Sequence, residues 1–193
     1  MRITSLSLVA LCLLAACSDG AQNNATDKIE VTGQATSAPG RPAPAEAQGQ
    51  DFVSAVLGSY SFSLESARLV EEKADQARVK QFAAKLRGDL EASQSELTQL
   101  ASAAGLKMEP TPGETHQTDL AVLSSTRGGP LEQAFAEQQM EALTGLVGLL
   151  RAYKNGGDNP ALKAWAEKAQ AIVNERLLDV QTLNAELQEA AER

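Results

Sequence analysis

Histidine is nearly missing from this chain: of 193 residues only His116 is one. A single imidazole leaves little room for a Ser–His–acid set or a histidine-rich metal centre. Cysteine is equally scarce. Cys12 and Cys17 both lie near the N-terminus and none follows, so no disulfide can staple the body of the chain. Aromatic residues make up 4% while Ala and Leu dominate the apolar share, a composition of helix bundles rather than of sheets. Basic clusters are missing as well. With 17 Lys and Arg against 25 Asp and Glu, the formal charge is -8, which argues against nucleic acid as a partner and against adhesion to anionic lipid through a basic face.

A long apolar run is the next absence, and it directs attention to a short one. Leu6 to Leu14 is too short to span a bilayer but has the length of a signal-peptide core, behind the positive Arg2. It ends in Leu14-Ala15-Ala16-Cys17, which resembles the bacterial lipobox. Small residues admit the backbone to a signal peptidase, and the Cys17 thiol takes a diacylglycerol. Two or three acyl chains then anchor far more firmly than one. The competing reading is an ordinary signal peptide with a chance cysteine; the cysteine falls where the apolar run meets polar sequence, which favours the lipobox. Ser18 after the cysteine favours the outer membrane by the enterobacterial sorting rule, while Asp19 pulls against it in other bacteria. The expectation is a lipid-anchored envelope protein on the periplasmic side, held to the membrane through acylated Cys17.

Residues 1–16 thus form the signal peptide, 17–49 the lipidated cysteine and a tether, and 50–193 the folded domain. The tether carries Pro39, Pro42 and Pro44 and lacks large apolar groups, so it reads as disordered. Roughly thirty such residues reach about 30 Å. Asp51 is the expected N-cap of a first helix with Val53, Val56, Tyr60, Leu64 and Ala67 on one face. After a break at Asp75-Gln76, Val79, Phe82, Leu86, Leu90 and Leu97 mark a second, closed by Gly105. Residues 106–117 contain Pro110, Pro112 and Gly113 and read as loop, with a short helical turn near Leu120–Leu123. Pro130 opens a third helix through Phe135, Leu143 and Leu150. Asn159-Pro160 opens a fourth through Leu162, Trp165, Val173, Val180 and Leu187. No segment alternates with strand period, so the fold class is all-α, an antiparallel four-helix bundle after the tether.

Several stretches carry a family resemblance. They include Leu64-Glu65-Ser66-Ala67-Arg68-Leu69, Val79-Lys80-Gln81-Phe82-Ala83, Glu96-Leu97, Gly105-Leu106 and Asn159-Pro160-Ala161-Leu162-Lys163. Together, over residues 51–187, the chain resembles the ferritin-like envelope family called domain of unknown function 4142. The resemblance implies a ferritin-like four-helix bundle, periplasmic or lipid-anchored, with no established activity. It also implies departures. Family histidines on the second, third and fourth long helices align with Leu90 (after Asp89), Leu143 and Arg176 here. The acidic residue usual in the first helix aligns with Ser63, or shifts to Glu65.

Ferritin-like di-metal sites combine inward Glu residues with Glu-x-x-His pairs, and this sequence contains no Glu-x-x-His. A dry, packed bundle centre is therefore expected, with no metal, no cofactor and no catalytic residue. His116 reads as an exposed loop residue, a surface metal contact with Glu114 being the sharper alternative. Gln138 and Gln139 are expected at the edge of the core rather than in a buried polar layer. Arg176 is expected to snorkel to water rather than pair with Asp89 or Glu141. The favoured function is a non-enzymatic envelope protein with a protein partner or a structural or stress-related role. The alternative is a metal- or small-molecule-binding bundle using Glu65, Asp89 and Glu141.

Overall fold

Five helices follow one another: α1 Ala45–Lys73, α2 Ala77–Ala103, α3 Glu114–Ser125, α4 Gly128–Gly156 and α5 Pro160–Ala191. The computed structural model describes residues 45–110 and 114–193, with side chains from 48–110 and 116–193. The signal peptide, the Leu14-Ala15-Ala16 motif, Cys17 and the tether up to residue 44 lie outside the described residues. Among the described residues every regular element is helical, as the missing strand period implies. No described helix is long and apolar enough to cross a membrane.

The four long helices form a ring in which α1 packs on α2 and α4, and α5 packs on α4 and α2. Directions follow from the cross-contacts. The start of α1 meets the end of α4 where Phe52 stacks on Tyr153, ring centroids 3.8 Å apart. The start of α2 meets the end of α5 through Arg78 and Glu186 at 2.6 Å. Short turns join α1 to α2 and α4 to α5. Each neighbouring pair in the ring is therefore antiparallel, and the chain crosses from α2 to α4 by way of α3. Inside the ring lies one continuous apolar cluster, including Val56, Leu86, Leu90, Leu143, Leu150 and Trp165.

Local signals account for the ends. Asn159 accepts from the backbone N–H groups of Ala161 (2.9 Å) and Leu162 (3.2 Å), with Pro160 opening α5. Gly105, at φ 70°, turns the chain out of α2 as the Leu106 N–H returns to the Ala101 carbonyl at 2.9 Å. The start of α2 is capped from a distance. Gln76 makes no side-chain cap; instead the buried Glu132 of α4 accepts from the N–H groups of Asp75 (2.8 Å) and Gln76 (2.7 Å). Its other oxygen takes Gln76 Nε2 at 2.6 Å. A carboxylate there satisfies free N–H groups and faces the positive end of the helix dipole.

Two boundaries differ from the sequence reading. Helix α1 opens at Ala45, ahead of the proposed cap at Asp51, so the tether boundary at 49 moves back. The extra turn is held by tertiary contacts: Gln50 exchanges two hydrogen bonds with the backbone of Lys107, at 2.9 and 2.8 Å. The loop expected over 106–117 becomes helical from Glu114, and the turn near Leu120 is a 12-residue helix. So short a helix is marginal alone. Packing sustains it, since Leu123 is fully buried and α3 lies on both α1 and α4.

Candidate functional site

The bundle centre is where a ferritin-like site would form, and its residues can be read directly. Leu90 and Leu143 are both fully buried. Between α1 and α4, Gln139 Nε2 donates to Ser66 Oγ at 2.8 Å, while Ser66 donates to the Phe62 carbonyl at 2.9 Å. Gln139 is fully enclosed, so the expectation that it straddles the core edge was wrong; only Gln138 is half-buried. The reason is register: Gln139 follows Phe135 by four residues and precedes Leu143 by four, on the same helix face. Ser63 is buried without a hydrogen-bond partner. Nearby, Tyr60 and Ser93 share a buried hydrogen bond at 3.0 Å, and burial pushes the Tyr60 phenol from 10.0 up to about 12.

Arg176 also corrects an expectation. Its side chain is 2% exposed and does not snorkel. Nη1 bonds Asp179 at 2.6 Å and Nη2 lies 2.6 Å from Glu175. Nε lies 3.1 Å from Asp89 without hydrogen-bond alignment. The three carboxylates are themselves partly exposed. The guanidinium is thus buried beneath a rim of hydrated acids, which lowers the cost of enclosing the charge. Asp89 is occupied in this way, as the pairing alternative envisaged, and Glu141 is not involved.

The three carboxylates considered as ligands do not meet. Exposed Glu65 lines a groove with Arg68, Gln94 and Met108; Asp89 faces Arg176; Glu141 lines a different groove beside α3. Among the described residues no three of His, Cys, Asp and Glu lie close enough to hold a metal ion.

The groove beside α3 is the candidate site. It has a volume of about 340 Å³. Phe62, Leu146 and Leu149 give it an apolar floor. Its polar lining is Ser59, His116, Asp119, Gln138 and Glu141. His116 stacks on Phe62 at 4.5 Å with ring planes 12° apart, which overturns its reading as an exposed loop residue. The stack requires α3, whose helical course across the expected loop brings His116 onto α1. Its Nδ1 is buried without a partner, and so is Gln138 Oε1, although Gln138 Nε2 donates to the Asp119 carbonyl at 3.3 Å. Spacing held a partial signal: Phe62, Gln138 and Glu141 sit beside core positions of α1 and α4, but nothing in the sequence placed His116 against them.

Most carboxylates elsewhere on the surface of α1, α2 and α5 meet cations. Arg68 bonds Glu91 at 2.9 Å and, with Arg87, holds its carboxyl below the usual 4.5. Asp119 and Glu141 have no Lys or Arg within ion-pair distance among the described residues, and neither do Glu65, Glu72, Glu137 and Glu167.

Comparison with known proteins fixes the family. The profile of the domain of unknown function DUF4142 matches residues 34–183. The chain belongs to the DUF4142 family. Two solved structures share the fold of this DUF4142 protein. One is a DUF305 fragment from Deinococcus radiodurans, 18% identical, covering 76% of this chain and 99% of its own at a TM-score of 0.64. The other is a DUF305 protein from Streptomyces coelicolor that is predicted to be secreted, 13% identical, covering 75% and 96% at 0.65. No curated protein matches the DUF4142 chain. At these identities the structural likeness speaks for the fold alone.

Proposed function

We propose that this DUF4142 protein is a lipid-anchored, non-catalytic protein of the bacterial envelope, whose bundle engages a protein partner or serves a structural or stress-related role. The observation that carries the non-catalytic half is the content of the bundle centre. Leu90 and Leu143 fill positions where the family resemblance places histidines, and Arg176 fills the third, neutralised by its own rim of acids. A packed apolar centre offers neither ligands nor an open coordination position. The anchoring half is supported by Leu14-Ala15-Ala16-Cys17 and the polar sequence that follows. The outer membrane is the proposed destination, on the strength of Ser18.

Two experiments test the halves separately. Cys17→Ala should move the protein from the membrane fraction to the soluble periplasmic fraction; continued membrane partitioning would end the lipoprotein reading. Calorimetric titration of the full chain with iron(II), manganese, zinc and copper should show no stoichiometric site of micromolar affinity. Such a site would return Glu65, Asp89 and Glu141 to consideration as ligands. Crosslinking in cells that captures no specific envelope protein would count against a binding role.

A further inference from the structure

The chain holds one tryptophan and two tyrosines, and all three stand in a single aromatic file. Tyr153 stacks on Phe52 with ring centroids 3.8 Å apart, Phe52 meets Trp165 edge-on at 6.0 Å, and Trp165 lies 6.4 Å from Tyr60. Such short steps keep each ring within electron-tunnelling range of the next. Trp165 joins the two phenols and is enclosed, at 2% exposure. The phenols differ in the respect that governs loss of an electron. A phenol gives one up readily only when a base takes its proton in the same event, because the phenol cation radical is a very strong acid. Tyr60 has the Ser93 hydroxyl at 3.0 Å, which is no base. Tyr153 donates to the Asp158 carboxylate at 2.6 Å, a short charge-assisted bond that is a ready proton path. Burial, and after it that carboxylate, raises the Tyr153 phenol above its usual 10.0, so the proton stays on the oxygen until the electron leaves.

We propose that Tyr153 is a one-electron oxidation site, which takes over the radical formed when a radical oxidant removes an electron from Trp165. The Trp165 indole N–H donates to the Ser93 carbonyl at 3.2 Å, too weak a base to accept the proton. Oxidised Trp165 is therefore held as a cation radical, which pulls strongly on a neighbouring electron. One electron then passes from Tyr153 to Trp165 by way of Phe52, and the proton on Tyr153 Oη moves to Asp158 Oδ1. The products are neutral Trp165, a neutral Tyr153 phenoxyl radical and a protonated Asp158. The oxidant, for instance carbonate radical anion reduced to carbonate, has taken up the electron. Charge balances, since the cation and the carboxylate disappear together. Tyr153 borders the groove that Phe52, Ala55, Leu149 and Ala152 line between α1 and α4. A small reductant from solvent meets the phenoxyl there, while Trp165 stays sealed in the core. The domain thereby moves oxidative damage from its one tryptophan to its rim. This property goes beyond anchoring and partner binding and depends on neither.

The test is laser photoionisation of the full chain in detergent, at wavelengths that indole absorbs and phenol does not. Nitrous oxide and tert-butanol consume the ejected electron, so the radical starts on Trp165. Its absorption should decay as a phenoxyl band grows, with one first-order rate that does not change with protein concentration. Tyr153→Phe, which keeps the ring on Phe52, should abolish the phenoxyl band and leave the indole radical to decay by slower encounters between molecules. Asp158→Asn keeps a hydrogen-bond acceptor but removes the base, and should slow the transfer by about tenfold. Deuterium oxide should slow it in the wild type, because the proton moves with the electron. Tyr60→Phe should leave rate and yield unchanged. Circular dichroism melts of the variants confirm that each is folded. Phenoxyl growth that Tyr60→Phe abolishes and Tyr153→Phe spares would overturn the proposal. So would a rate indifferent to Asp158→Asn, or decay of the indole radical with no phenoxyl band. None of these outcomes bears on where Cys17→Ala places the protein, so this inference and the envelope reading fail independently.

Discussion

The interior of the ring and the flank covered by α3 both bury polar groups, and they differ in how fully the helices close over them. In the interior Gln139 meets Ser66, Tyr60 meets Ser93, and the Trp165 indole meets the Ser93 carbonyl at 3.2 Å, while Ser63 Oγ, Gln139 Oε1 and Arg176 Nε have no hydrogen-bond partner. On the flank His116 and Gln138 each keep an unanswered atom, and two acids stand without cations among the described residues. The interior is closed by four long helices that each bury a whole stripe. The flank is closed by a 12-residue helix that contributes one fully buried leucine. What separates a packed core from an open groove is thus how many elements close over it.

The sharpest way to break the comparison is to hollow the interior. Leu143→Ala should cost about 2–5 kcal/mol, because the four surrounding helices can relax only partly into the space. Chemical denaturation reads the loss directly, and a cost below 1 kcal/mol (roughly the scale of a surface change) would mean the centre is loosely packed.

Tyr60→Phe comes next, at about 1 kcal/mol for the buried hydrogen bond to Ser93. It also carries a pH signature. Folding raises the Tyr60 phenol from 10.0 to about 12. The group therefore contributes stability that is intact below pH 10 and is lost as the pH climbs from 10 through about 12. Wild type and Tyr60→Phe should lose stability differently over that window, and parallel curves would show that Tyr60 titrates as it does in the unfolded chain.

His116→Ala probes the flank. Removing the stack on Phe62 should cost about 0.5–1.5 kcal/mol, and the loss should appear as faster amide exchange in α3 with α4 and α5 unaffected. Faster exchange throughout the bundle would show that α3 belongs to the cooperative core.

The smallest effect is expected from Gln139→Leu. The substitution removes one hydrogen bond and one buried unpaired oxygen together, leaving Ser66 its bonds to the Phe62 and Ser63 carbonyls. Stability should stay within about 0.5 kcal/mol of the parent. A loss of several kcal/mol would show that the unpaired oxygen has a partner such as an enclosed water.

Much of the scaffold was legible in the order of residues. Apolar spacing found the stripes of α1, α2, α4 and α5, because each buries one face and the helical period leaves a trace in sequence. Asn159-Pro160 and Gly105 marked ends through local chemistry that needs no distant partner. Leu90 and Leu143 fell on their stripes and are buried there. The remaining features depended on distance across the fold. Glu132 caps a helix more than fifty residues upstream, a relation no local pattern encodes. Arg176 looked like a side chain that would reach water, yet acids from two helices meet above it. The helical run from Glu114 to Ser125 was hidden because a short helix owes its stability to the surface it lands on.

Sequence by itself therefore determined the helical class, the number of long helices, their apolar faces and the family. Those properties are written in periodicity and composition, where each residue acts on its neighbours. Only the tertiary structure decided that His116 lies on Phe62, that Gln139 is enclosed while Glu141 is not, and that a groove opens beside α3. Such a groove is a remainder, the space left after the long helices have packed on one another, and a remainder exists only once all of them are in place.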